Sequence, residues 1–148
     1  MNKSVFKKFP AHFLVALIVV CYIIATVVGF FAIFPNPPVF TLISTGVYIA
    51  IWIFILWVVL ANKLKKISLF SLIYWFFSFV GVLSFVVQNY YQTGNALIAM
   101  IGYVFIIPLC GFMYLEILIS PMGIPLEFFV SLVMFLLSVV VFCKIRKR

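Results

Sequence analysis

The chain has 148 residues, of which 68% are hydrophobic and only 8% are charged, and its formal net charge is +8. A soluble domain carries about 45–50% apolar and about 25% charged residues, so a water-soluble fold of this length could not bury so much apolar surface. Lipid must supply part of the solvent, and the composition predicts an all-α, polytopic transmembrane helical bundle. No long polar stretch is present, which predicts one integral membrane domain over residues 1–148.

Five apolar runs follow one another, and each is long enough for a membrane-spanning helix, which needs about 20 residues. In chain order they are Ala11–Phe34, Val39–Ala61, Ile67–Val87, Ala96–Ile119 and Ile124–Cys143. Four short breaks separate them. The first contains prolines, the second lysines, the third tyrosines, and the fourth prolines and a glycine, as is typical of loops and turns. The first run is too long for the apolar core of a signal peptide, so it predicts a retained membrane helix.

The basic residues form three clusters that flank the apolar runs. They are Lys3, Lys7 and Lys8, then Lys63, Lys65 and Lys66, and finally Lys144, Arg146, Lys147 and Arg148. Basic residues concentrate on the cytoplasmic side of membrane proteins, so the first cluster predicts a multi-pass cell-membrane protein with a cytoplasmic N-terminus. The clusters are also expected to attract anionic lipid headgroups, whereas nucleic-acid binding requires one continuous basic face.

The last basic cluster conflicts with five membrane crossings. Five spans put the C-terminus outside together with its basic residues, whereas an even number keeps all ten Lys and Arg residues inside. The run 96–119 is the one most easily reassigned, because Gly102, Pro108 and Gly111 interrupt it. In that alternative it is a re-entrant hairpin, and four spans remain. Its length at about 1.5 Å per residue matches a full crossing, so five spans are preferred.

Small residues recur at helical spacing and predict close helix packing, because small side chains let helix backbones approach in lipid. The predicted packing residues are Cys21, Ala25, Gly29, Gly46, Ala50, Ser71, Ser78 and Gly81. Ser131 and Ser138 lie a heptad apart in the last run. An alternative interpretation of the serines is a polar pathway lined by hydroxyl groups.

The residues that carry most enzyme chemistry are scarce. Asp is absent, His12 is the single histidine, and the three cysteines are far apart, so neither a catalytic triad nor a metal-ligand spacing is present. No glycine-rich phosphate-binding motif occurs. The sequence therefore predicts a non-enzymatic protein without a metal or another cofactor. Trp57 and Tyr74 are expected near the membrane interfaces, where amphipathic rings are enriched.

Glu116 and Glu127 are the only acidic residues, and they flank the turn at Ser120–Pro125. Acidic side chains inside a membrane are costly and indicate a functional site by default, here for a proton, a cation or a basic residue of a partner. Glu116 precedes Ser120 by four residues, which is about one turn of a helix. Glu127 follows Pro125 at a predicted helix start, where a carboxylate is favoured. The competing interpretation is two interfacial acids without a shared role.

These features favour a small, non-enzymatic membrane component of accessory, regulatory or immunity type that works through helix contacts. Its expected partners are the lipid bilayer, another membrane protein or further copies of itself. The alternative is a small oligomeric transporter or channel that uses Glu116 and Glu127.

Overall fold

The computed structural model describes residues 10–31, 39–91, 104–112 and 126–147. Within these ranges the chain is helical and contains no strand. Four of the helices are long and apolar enough to cross a membrane, which confirms the all-α class and the membrane-helix prediction at this level. They are α1 (Ala11–Phe31), α2 (Val39–Asn62), α3 (Lys65–Tyr91) and α4 (Leu126–Arg146).

The fifth predicted run, 96–119, is described only over residues 104–112. Residues 104–106 are α-helical and lead directly into a 3-10 helix at Ile107–Phe112. The change of helix type follows from Pro108, which has no backbone N–H and whose ring crowds the carbonyl four residues earlier. The rest of the run lies outside the described residues. We call residues 104–112 the inner segment.

A tight turn joins α2 to α3. Lys63 adopts a left-handed backbone with φ of 55°, and the Leu64 N–H donates to the Val59 carbonyl at 3.1 Å. This is the hydrogen-bond pattern of a Schellman cap, in which the residue after the helix turns left-handed. The Asn62 side chain also donates to the Val58 carbonyl at 2.9 Å. The lysine-containing break between the second and third apolar runs therefore forms a tight turn that closes an α2–α3 hairpin.

Neighbouring long helices run antiparallel. The rings of Phe31 and Phe40 lie 6.3 Å apart at one end of α1 and α2. The rings of Phe76 and Phe135 lie 5.8 Å apart midway along α3 and α4, and Lys65 and Arg146 meet where α3 starts and α4 ends. One end of the bundle therefore contains the starts of α1 and α3 and the ends of α2 and α4. We call it the basic end, because the described Lys and Arg residues lie there, and the opposite end the far end.

The inner segment packs between α1 and α2. Its residues from Pro108 to Gly111 are buried. A Cβ on Gly29 of α1 would overlap the Ile107 carbonyl oxygen and lie 2.9 Å from its carbon, and one on Gly111 would overlap Thr41 of α2. The absence of a side chain at Gly29 and Gly111 is thus what allows backbone to lie against backbone here.

Serines line the inward faces of α3 and α4. Ser71, Ser78, Ser131 and Ser138 are all fully buried. Each hydroxyl donates to a carbonyl of its own helix at 2.9–3.0 Å, as Ser71 does to Ile67. The antiparallel register places Ser71 near the level of Ser138, and Ser78 near the level of Ser131. These hydroxyls are therefore used locally, which favours close packing over a hydroxyl-lined path.

Gly29→Ala and Gly46→Ala form a matched test of this packing. Both variants gain about 1 kcal/mol of helix propensity, but only Gly29→Ala forces a Cβ onto the Ile107 carbonyl, since Gly46 has nothing within 4 Å of that position. We expect Gly29→Ala to have a free energy of unfolding about 1–3 kcal/mol below that of Gly46→Ala. Unfolding by denaturing detergent, followed by circular dichroism, measures the difference, and equal stabilities would contradict this packing.

Candidate functional site

Glu127 lies in the first turn of α4, at the far end, and only 4% of its surface is exposed. A carboxylate in the first turn of a helix is stabilised by the helix dipole and by the N–H groups that have no partner within the helix. This agrees with its predicted position at a helix start. Glu116 lies outside the described residues, so of the two predicted glutamates the structure describes only Glu127.

The surroundings of this turn are apolar and aromatic. The adjacent Phe128 packs on a cluster formed by Val82 of α3 with Ile106 and Cys110 of the inner segment. The rings of Phe128 and Phe79 lie 5.5 Å apart. A carboxylate in such surroundings is costly to keep charged, and the first-turn position offsets part of that cost.

Most of the predicted packing residues lie inside the bundle. Ala25 and Gly29 of α1 are buried and Cys21 is half-buried, while Ser71, Ser78 and Gly81 of α3 are buried. Gly46 and Ala50 of α2 are different, because the structure places both on the exposed side. A Cβ added to Gly46 would meet no atom within 4 Å. Among the described residues, no helix uses this pair.

Gly46 and Ala50 form a shallow depression in an otherwise bulky surface of α2. Ile43, Val47 and Ile53 stand around them and are 62%, 53% and 51% exposed. Positions 43, 46, 47, 50 and 53 fall on one helical face, because they form two rows, 43–47–50 and 46–50–53, with steps of three or four residues. We call these five residues the α2 outer face. Its shape resembles the small-residue contacts by which membrane helices approach each other closely.

Aromatic rings fill the centre of the bundle. Trp52 of α2 stacks on Tyr74 of α3 with ring centres 5.0 Å apart, and Trp75 lies 5.5 Å from both of them. The Tyr48 and Tyr74 hydroxyls are hydrogen-bonded to each other. Tyr74, which was expected near an interface, is thus buried in the bundle core with its hydroxyl bonded to another helix. Trp57, by contrast, is 39% exposed near the basic end.

The pairing of Tyr48 with Tyr74 was not predicted from the sequence. Each hydroxyl lies within a long apolar run, where lipid offers no hydrogen-bond partner, and that is a signal for a contact between helices. The rings of Trp52, Tyr74 and Trp75 pack against one another, so the centre is a packed core and not an open aromatic cage. Within the described ranges, no group of three His, Cys, Asp or Glu side chains could hold a metal ion.

Replacing the two tyrosines separately and together tests this central contact. Tyr48→Phe or Tyr74→Phe keeps the ring but leaves the other hydroxyl without its partner, which costs about 1 kcal/mol. The double variant removes both hydroxyls, so we expect it to be more stable than the sum of the single effects predicts. The free energies of unfolding of the four proteins give the coupling, and strictly additive effects would contradict the hydrogen bond.

Comparison with known proteins gives no relative for this chain. No protein-family model, no curated protein and no solved structure matches it. Two features of the described residues bear on function, namely the exposed small-residue pair on α2 and the buried carboxylate of Glu127.

Proposed function

We propose that this chain is a non-enzymatic membrane component, of accessory, regulatory or immunity type, that docks a transmembrane helix of another protein against the α2 outer face. The observation that carries the proposal is the exposure of Gly46 and Ala50. Similar small residues on α1 and α3 are buried against neighbouring helices. The pair on α2 has the same character and no neighbour among the described residues.

Lipid alone does not account for such a pair. Between helices in a membrane the hydrophobic effect gives little drive, so association depends on van der Waals contact and on close backbone approach. A helix that crosses at Gly46 and Ala50 would gain that contact, with Ile43 and Val47 packing on either side. Flexible acyl chains gain less from a rigid depression than a complementary helix does.

The proposed topology has four crossings, with both termini in the cytoplasm of a multi-pass cell-membrane protein. Two contacts support it. Tyr22 contacts Val104 and the later Gly29 contacts Ile107, so the inner segment runs in the direction of α1, toward the far end. Since α3 finishes and α4 starts at that end, a fifth crossing would have to run the opposite way, so this direction favours the re-entrant alternative for the run 96–119. All three basic clusters would then lie on one side.

Photo-crosslinking in native membranes tests the docking proposal. A photoreactive residue replaces Val47 on the α2 outer face, and a matched control carries it at Val140 of α4, which is similarly exposed at 58%. We expect a discrete protein adduct from position 47 and lipid adducts alone from position 140. Gly46→Leu with Ala50→Leu should abolish the protein adduct, because the side chains fill the depression while leaving the fold intact.

The composition of the adduct separates the outcomes. A single second protein that is lost in the double leucine variant supports the proposal. An adduct of two copies of this chain would mean that the docked helix belongs to a second copy, so the chain would be a homo-oligomer. Lipid adducts alone at position 47 would contradict a helix partner on this face.

A second function, a small oligomeric transporter or channel, is favoured by the burial of Glu127 at the far end. Acidic residues inside membranes commonly serve proton and cation pathways. In this alternative, Glu127 acts together with Glu116. The flux would pass between copies, because the serine hydroxyls within the chain are bonded to their own helices.

Neutral amide variants test this second function. In proteoliposomes, Glu127→Gln and Glu116→Gln should each abolish proton or cation flux if the carboxylates carry it, because an amide cannot exchange a proton at neutral pH. Normal membrane levels and an unchanged circular dichroism spectrum serve as the folding control. Unchanged flux in the double variant, or no flux in the unmodified protein, would exclude this function.

A further inference from the structure

The basic end contains a groove that the proposed docking function does not use. It lies where α3 starts and α4 finishes, and its volume is about 340 Å³. Its floor is apolar and its rim is basic. The lining residues are Leu69, Phe142 and Ile145 on the floor, and Lys65, Lys66 and Arg146 on the rim. The groove therefore joins a cationic opening to an apolar surface at the edge of the membrane-spanning helices.

The sign of the charge in this groove is set by side chains. The α3 N-terminus contributes about half a positive charge and the α4 C-terminus about half a negative charge, so the two helix dipoles nearly cancel. Three full positive charges remain on Lys65, Lys66 and Arg146. Glu127, the one carboxylate side chain among the described residues, lies at the opposite end of the bundle. The groove is accordingly complementary to an anion.

Phosphate is the anion that this set of donors fits. A guanidinium offers two parallel N–H donors to phosphate oxygens, while lysine ammonium groups act as mobile point charges. Basic pockets between helices on the cytoplasmic side of membrane proteins are suited to anionic lipid headgroups. The volume is within the range of small-molecule sites, and it suffices for a phosphodiester and the start of its acyl chains.

The apolar floor indicates a lipid and not a free anion. Leu69 is 45% exposed, and Ile73, one helical turn further from the basic end, is 46% exposed. Together with Phe142 they continue the floor from headgroup level toward the bundle centre. We propose that this groove is a binding site for an anionic phospholipid, whose phosphate lies between Lys65, Lys66 and Arg146 and whose acyl chain lies along Leu69 and Ile73.

Lipid retention by the purified full-length chain tests the proposal. The protein is equilibrated in detergent with equal amounts of phosphatidylglycerol and phosphatidylcholine, and the retained lipids are identified by native mass spectrometry. We expect a preference for phosphatidylglycerol of at least about fivefold, since only this lipid has a net negative headgroup. Lys65→Gln, Lys66→Gln and Arg146→Gln together should remove the preference.

Two further variants make the test specific. Lys63→Gln, Lys144→Gln and Lys147→Gln together remove the same charge from the same end but leave the groove lining unchanged, so the preference should persist. Leu69→Gln keeps all three cations and should lower phosphatidylglycerol retention by making the floor polar. It also keeps the proposal testable if the triple groove variant does not fold.

Three results would overturn the proposal. Equal losses in the two triple variants would mean that only the total charge matters. Displacement of the lipid by millimolar inorganic phosphate would mean that the groove binds a free anion. Full retention by Leu69→Gln would show that the apolar floor has no part in binding.

Discussion

Pro108 imposes the constraint on which the arrangement of this bundle depends. In an α-helix the N–H of residue 108 would bond to the Val104 carbonyl, but proline has no N–H to donate. Lipid supplies no replacement donor, so the freed carbonyl must find one within the protein. The Tyr22 hydroxyl donates to it at 2.7 Å, and the Thr45 hydroxyl donates to the Pro108 carbonyl at 3.2 Å. One proline thus ties the inner segment to both α1 and α2.

These two hydrogen bonds explain why glycines are needed nearby. A segment held by Tyr22 and Thr45 must lie close to both helix backbones, and Gly29 and Gly111 supply the necessary space. We propose that the segment packs here without crossing the membrane. In the proposed topology this is the reason that α4 becomes the fourth crossing and returns the chain to the basic end.

The sequence predicted the parts of this fold that depend on length and composition. The apolar runs gave the long helices, and Pro108 marked the place where regular helix stops. Which helix lies next to which face could not be predicted, because Gly46 and Ala50 have the same pattern as Ala25 and Gly29 but lie on the exposed side. Tyr74 was expected at an interface since its ring is amphipathic, and its hydroxyl instead finds a partner on another helix. Such pairings depend on tertiary contacts.

The side of the membrane on which each chain end lies tests the proposed four-crossing topology, because an even number of crossings leaves both ends on one side. Epitope tags placed before Met1 and after Arg148 can be probed with antibodies in intact and in permeabilised cells. Four crossings with a cytoplasmic N-terminus predict that both tags are protected in intact cells and become accessible together when the cells are permeabilised. A C-terminal tag accessible from outside, with the N-terminal tag still protected, would establish an odd number of crossings and contradict the proposed topology.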